Sequence, residues 1–488
     1  IHTHGLDDAT ISRFAANDER IAAAVDAAYE VFLQLLEDEP ELMALSEREM
    51  VAGIQEGYVN FYPLDAVNPY VTAGGAGPWF VTTRGALLFE CGGYGMLGFG
   101  HAPKAGLEAM NQPHVMANIM TPNFSQKRFI SALKKELGHT RDACPFSSFF
   151  CLNSGSEAVT LGARISDISA KINTDPGGRH AGKPIRILGL KSAFHGRTDR
   201  PARYSDSTRA AYCKYLASFR DQDHLLTIEP NDIRQLEQVF EYAENNQLFI
   251  ESMFIEPVQG EGSPGMAVTP EFYARARELT RAHGALLLVD SIQAGLRAHG
   301  VLSICDYPGF EHLDPPDMET YSKALNGGQY PLSVLALTDE AAALYRAGVY
   351  GNTMTTNPRA LDVGTATLAG ITPEMRQNVE DRGREFFDKL VALQEELGGM
   401  ITKVQGTGLL LSAELDPTRY KSYGANSTEE YVRTRGINVI HGGINALRYT
   451  PCFDITSEEV DLIIQVTRDA LVNGPVKQQE PAASSEAA

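Results

Sequence analysis

Apolar residues recur at helical spacing early in the chain, at Ile21, Val25, Val31, Phe32, Leu35 and Leu36, until Glu39-Pro40 interrupts them. Asn17 stands where an N-cap belongs, so the pattern predicts a helix from there to Glu39. A second helix is expected after Ser46, because Ser46 and Glu49 have the spacing of a capping box ahead of Met50, Val51 and Ile54. Residues 1–67 therefore read as a helical arm that packs on the body or on a neighbouring subunit. Trp79 to Phe89 predicts short strands joined at Arg84-Gly85, within a segment, 68–115, assigned to the N-terminal part of a small domain. Gly93, Gly95 and Gly98 satisfy Gly-x-Gly-x-x-Gly, but no acid lies between Glu108 and Glu136 to bind a ribose, so a close-packed turn is expected. Between 116 and 370, helical stretches alternate with apolar runs at Ile185 to Leu188, Met253 to Ile255, Ala285 to Val289 and Leu332 to Leu335. Such alternation indicates a large α/β domain whose mostly parallel sheet is covered on both faces. Asp175 to Pro184 reads as a surface loop, 371–473 as a smaller α/β domain, and 474–488 as a disordered tail.

Length and charge narrow the function classes. A chain of 488 residues that is 43% hydrophobic has material for two packed domains or one large one. Its net charge of −20 opposes nucleic acid and anionic lipid as partners. No apolar run reaches the roughly 20 residues of a membrane span, and the first residues lack a basic-then-apolar signal pattern. Six cysteines without Cys-x-x-Cys, and no histidines at ligand spacing, suggest buried free thiols, no metal site and a cytoplasmic protein.

Lys323 follows Asp290 by thirty-three residues (323 minus 290), and Asp290 ends the apolar run Ala285-Leu286-Leu287-Leu288-Val289. Pyridoxal phosphate chemistry uses such a pair: a lysine for a Schiff base, and an acid that keeps the pyridine nitrogen protonated. Surface charges give the same pattern, so the pair needs its surroundings.

Those surroundings are six stretches in one order: Asn153 to Ala158, Phe194-His195-Gly196-Arg197-Thr198, Glu256 to Gly262, Asp290-Ser291-Ile292-Gln293-Ala294-Gly295, Ser322-Lys323-Ala324-Leu325, and Gly351-Asn352-Thr353 with Asn357-Pro358. Across about 68–470 the chain thereby resembles the class III pyridoxal-phosphate aminotransferases, the family of the ornithine, acetylornithine and 4-aminobutyrate enzymes. The resemblance implies a fold type I transferase, with a large domain built on a mostly parallel sheet of seven-stranded type and a smaller α/β domain. It implies an enzyme that moves an amino group, the terminal amine of a diamine, ω-amino acid or related amine, to 2-oxoglutarate, passing through pyridoxamine phosphate.

Position by position, the resemblance makes Lys323 the Schiff-base lysine and proton carrier and Asp290 the partner of the ring nitrogen. Gln293 would bond the phenolic oxygen, Ile292 would pack beneath the ring and Phe194 would stack on it, although core packing also explains Ile292 and Phe194. Gly155 and Ser156 would hold the phosphate at a helix start, where a plain N-cap explains the serines equally well. Thr353 would reach the phosphate of the partner subunit, which implies a homodimer with shared sites. Arg448 matches the arginine for the substrate α-carboxylate and Glu261 the glutamate that pairs with it when no carboxylate is present; a permanent ion pair is the alternative. Arg197 matches a carboxylate-binding arginine of the ornithine enzymes, and Tyr70 and Tyr94 stand as pocket tyrosines or mere wall. The chain departs from the family at Ser291 and Ala294, where a glutamate and a threonine are usual, so one carboxylate and one hydroxyl are missing near the cofactor. Racemase, decarboxylase or aminomutase chemistry on this scaffold, or a cofactor-binding protein without catalysis, are the rival readings.

Overall fold

The structure, a computed structural model, describes residues 2–116, 119–220 and 224–477. Seven strands form the central sheet, in the order 148–152, 333–337, 318–321, 286–290, 249–255, 185–190 and 225–228. Only Ser333–Leu337 runs against its neighbours, so six strands point one way. The strand Phe249–Ile255 is buried at every position, because helices such as Gly155–Thr174 and Pro270–His283 cover the two faces. The apolar runs at 185, 253, 285 and 332 all fall in strands. Ser148–Leu152, Leu225–Ile228 and Met318–Tyr321 were not singled out by pattern, being short, and in the last case interrupted by Glu319 and Thr320.

Two smaller sheets flank this core. Thr72–Ala76, Trp79–Thr82 and Leu87–Glu90 form one with Ile437–Asn438, so an early and a late segment share a sheet. Ile401–Thr407, Leu410–Leu415, Ala446–Tyr449 and Ile440–Gly442 form the other, beside the helices Pro373–Leu397 and Ser457–Asn473. The Gly92 to Gly98 segment is the close-packed turn expected: a Cβ on Gly98 would lie 2.2 Å from the Phe453 ring.

The arm packs on the body, but not as its apolar stripe suggests. Asn17 closes the preceding helix, its N–H donating to the Phe14 carbonyl, and the long helix runs Arg20–Asp38 without a side-chain cap. Its buried residues are Ile21, Ala24 and Ala28, whereas Val25, Val31 and Leu36 are exposed. Small residues win that face because it lies backbone to backbone on a glycine strand: a Cβ on Gly74 would sit 2.5 Å from the Ala28 nitrogen. Trp79 Nε1 donates to Asp18 at 2.7 Å, and Arg20 pairs with Asp454 at 2.5 Å, which pins the helix to distant parts of the chain. The Ser46 capping box is present, with Glu49 accepting the Ser46 N–H at 3.0 Å.

All six thiols are free, but Cys213 is exposed and Cys144 half-buried, so the expectation of six buried thiols holds for four. Among the described residues no helix is long and apolar enough to cross a membrane. Of the expected tail, 478–488 lies outside the described residues, and Lys477 N donates to the Arg419 carbonyl at 2.8 Å.

Candidate active site

The carboxyl ends of the parallel strands converge, which is where open α/β sheets form their clefts. Strand register brings Lys323 to Asp290: Asp290 sits opposite Thr320, three residues before the lysine. Asp290 is 4% exposed and accepts from Thr320 Oγ1 at 3.0 Å and from the Ile292 N–H at 3.2 Å. His195 Nδ1 lies 2.8 Å from its other oxygen, while the buried His195 Nε2 has no partner among the described residues.

Lys323 has a positive φ of 43°, a conformation side chains resist, and Gly327 and Gly328 behind it are also left-handed. Burial, reinforced by the Arg448 charge, pushes its amine down to about 8. Its Nζ donates to Gln293 Oε1, and Gln293 Nε2 donates to the Tyr94 carbonyl at 3.2 Å. Residue 260 must be glycine here, since a Cβ would lie 1.9 Å from Gln293 Cγ.

At the start of the helix Gly155–Thr174, Ser154 is the N-cap, bonded to the Glu157 N–H at 3.3 Å, with Glu157 completing the capping box. The N-cap reading thus holds for Ser154, leaving Gly155 and Ser156 at the positive helix end. A Cβ on Gly155 would meet Ile292 at 2.7 Å, and one on Gly196 would meet Ser156 Oγ at 2.5 Å, so the cradle is kept tight by glycines on both sides. Gly155, Ser156, Phe194, Glu261, Asp290, Ile292, Gln293 and Lys323 all line one cavity of about 200 Å3.

Outside it, Arg448 is 1% exposed; Nη1 donates to the Gly260 carbonyl and lies 3.3 Å from Glu261 Oε2. Its guanidinium rests over the Tyr94 ring at 5.7 Å. Arg197 lies 3.9 Å from the other Glu261 oxygen, but its side chain is 43% exposed, not buried, and covers the Phe194 ring at 5.3 Å. Besides Arg448, Arg197 and Tyr94, two further predicted residues, Tyr70 and Thr353, do not line the cavity. Tyr70 packs on Phe80 and gives its hydroxyl to Asn438 at 2.9 Å, which makes it wall of the small sheet. Thr353 is exposed, in a turn whose neighbour Asn352 donates to Glu157.

The family model of the class III aminotransferases matches residues 69–471. The chain belongs to this family. Succinylornithine transaminase of Citrobacter koseri is 29% identical to it over 405 residues, 82% of this chain and 91% of that protein. Ornithine aminotransferase from Toxoplasma gondii has the same fold, with a TM-score of 0.73 at 22% identity, covering 89% of this chain and 97% of its own. Acetylornithine aminotransferase from Elizabethkingia anophelis gives 0.69 at 22% identity, covering 88% and 99%.

This class III aminotransferase is a transaminase with pyridoxal phosphate as its cofactor, and the site fits that group. It offers a desolvated amine, a buried carboxylate backed by a histidine with an orphaned nitrogen, and a glycine-tightened helix start for an anion. Sequence reasoning overlooked the residues that support this set. Glu256 accepts the Phe194 N–H at 2.8 Å and the Gly260 N–H at 3.1 Å, so it shapes both loops; burial pushes its carboxyl up to about 7. His195 and Glu256 stood inside the quoted motifs, yet their types alone signal no role. Phe61 and Tyr62, from the arm, reach Arg197 and Tyr94 at 5.8 and 6.4 Å. At the departure from the family, Ser291 donates to Glu319 at 2.5 Å, so a buried carboxylate stands beside it, supplied by the next strand. Ala294 is packed in the core.

Proposed function

We propose that this transaminase takes the terminal amino group of an ω-amino acid, diamine or related amine and passes it to 2-oxoglutarate, releasing glutamate. When bound, pyridoxal phosphate supplies an aldehyde for the amine and a ring that withdraws electrons from the carbon losing its proton. Lys323 Nζ would bind that aldehyde and, when free, would carry the proton; burial and the Arg448 charge bring its amine down to about 8, which suits both tasks. Asp290, backed by His195, would keep the ring nitrogen protonated, while Phe194 and Ile292 would hold the ring faces and Gln293 the phenolic oxygen. Gly155 and Ser156 would bind the phosphate, joined by Thr353 of a second subunit in a cytoplasmic homodimer; the exposed turn of Thr353 supports that placement.

The observation that carries the substrate reading is Glu261 lying between Arg448 and Arg197. Two guanidiniums face one carboxylate, so the end of the site around Glu261 keeps a surplus positive charge even with Glu261 paired. A substrate carboxylate satisfies that surplus, which favours ω-amino acids over diamines among the donors. With Glu261 turned aside, Arg448 is free for the α-carboxylate of 2-oxoglutarate. Mixing the loaded enzyme with ornithine, 4-aminobutyrate and 1,4-diaminobutane tests the donor, read as loss of the visible absorption and one oxo product per site. Substoichiometric oxo product would assign a racemase, decarboxylase or aminomutase instead, and no bleaching by any amine would assign a binding protein. Arg448→Ala should weaken 2-oxoglutarate by roughly a hundredfold, as loss of a buried charge-assisted pair does, and the donor much less. Equal losses would refute the switch.

A further inference from the structure

We infer that Tyr62, in the arm, is a positioning residue for Arg448 and so helps set how tightly the acceptor is bound; this rests on reading Arg448 as the acceptor-carboxylate site. Tyr62 lies outside residues 69–471, the part the family accounts for. Asn60 Oδ1 accepts the Tyr62 backbone N–H at 3.0 Å, forming a turn that leaves Phe61 exposed and Tyr62 half-buried. The Tyr62 ring lies 24° from parallel to Tyr94, at 6.4 Å, and meets His441 edge-on at 5.6 Å.

Both contacts lead to Arg448. Tyr94 carries the guanidinium on its face. His441 belongs to the strand Ile440–Gly442, in which Ile440 pairs directly with Arg448. That strand is held in turn: Glu429 accepts the His441 backbone N–H at 2.8 Å and lies 3.1 Å from Nδ1, and Tyr423 covers the imidazole at 4.2 Å. Arg448 depends on such packing because, among the described residues, its buried Nε has no hydrogen-bond partner. Its orientation therefore comes from the Nη1 contacts and the Tyr94 face, and once Glu261 turns aside the Gly260 carbonyl and that face carry it. Tyr62 keeps the ring in place during that step.

The test uses full-length enzyme loaded with pyridoxamine phosphate, mixed with 2-oxoglutarate in single turnovers. Tyr62→Ala should raise the half-saturating 2-oxoglutarate concentration about five- to tenfold, the worth of one aromatic contact. The limiting rate should stay within about twofold, since neither Lys323 nor Asp290 is touched. Tyr62→Phe, which keeps the ring but loses the hydroxyl bond to Tyr94, should weaken 2-oxoglutarate less than Tyr62→Ala does. An unchanged half-saturation in Tyr62→Ala, a parallel fall in the limiting rate, or a Phe variant as weak as the Ala variant would overturn the inference alone. Arg448→Ala is measured alongside; if it leaves 2-oxoglutarate binding intact, the functional reading itself fails and the role of Tyr62 falls with it.

Discussion

Burial and the Arg448 charge act together on Lys323, and the consequence is measurable without turnover. Covalent uptake of pyridoxal phosphate by the apoprotein requires the neutral amine, so its rate should rise with pH about a midpoint near 8. A midpoint near 10.5, the ordinary lysine value, would mean the amine is solvated. Glu319 titrates in the opposite sense. Burial pushes its carboxyl up to about 7 from 4.5, so the folded protein holds a proton there that the unfolded chain has already released. Stability is then lost as pH rises from about 4.5 to 7. Glu319→Gln keeps the contacts to Ser291, Ser303 and Ile304 without the charge. It should gain roughly 1–3 kcal/mol at pH 8 and little at pH 5, read by denaturant unfolding at both pH values. Lys323 and Asp290 were legible because each has a distinctive neighbourhood in the chain. His195 and Glu256 were not, since they act through hydrogen bonds to groups far away in sequence.

The helix Arg20–Asp38 shows how an element can be foreseen and its buried face misjudged. Periodicity located it, but the strand it lies on, Ala73-Gly74-Gly75, has almost no side chains, so Ala24 and Ala28 make the contact and the larger residues stay outside. Gly74→Val should force the two backbones apart and cost about 1–3 kcal/mol, with the arm becoming open to limited proteolysis while the body resists. An arm that stays protected would show that the contact is not needed for docking. Caps fared better than faces: Ser46 with Glu49, and Ser154 with Glu157, are local and complete in four residues. Asn17 failed because the short helix Asp8–Ala15 ends just before it, and the Asn17 N–H closes that helix on the Phe14 carbonyl.

The proposed homodimer with shared active sites makes a prediction about assembly. Lys323→Ala and Thr353→Asp should each be inactive, the second because a carboxylate repels the phosphate. Mixed and refolded one to one, they should recover about a quarter of wild-type activity, because half the dimers then hold one site with both residues intact. No recovery would place Thr353 with its own subunit. The chain's order of motifs determined the family and the sheet class and picked out Lys323 and Asp290 as the proposed reacting pair, because each is written in contiguous residues or in a fixed periodicity. Which side chains meet around that pair was settled by folding: strand register brings Asp290 opposite Thr320, and the arm returns Tyr62 to Tyr94. Such contacts depend on the relative placement of whole elements, and no local pattern of residues encodes a distance between parts of the chain that meet only once it is packed.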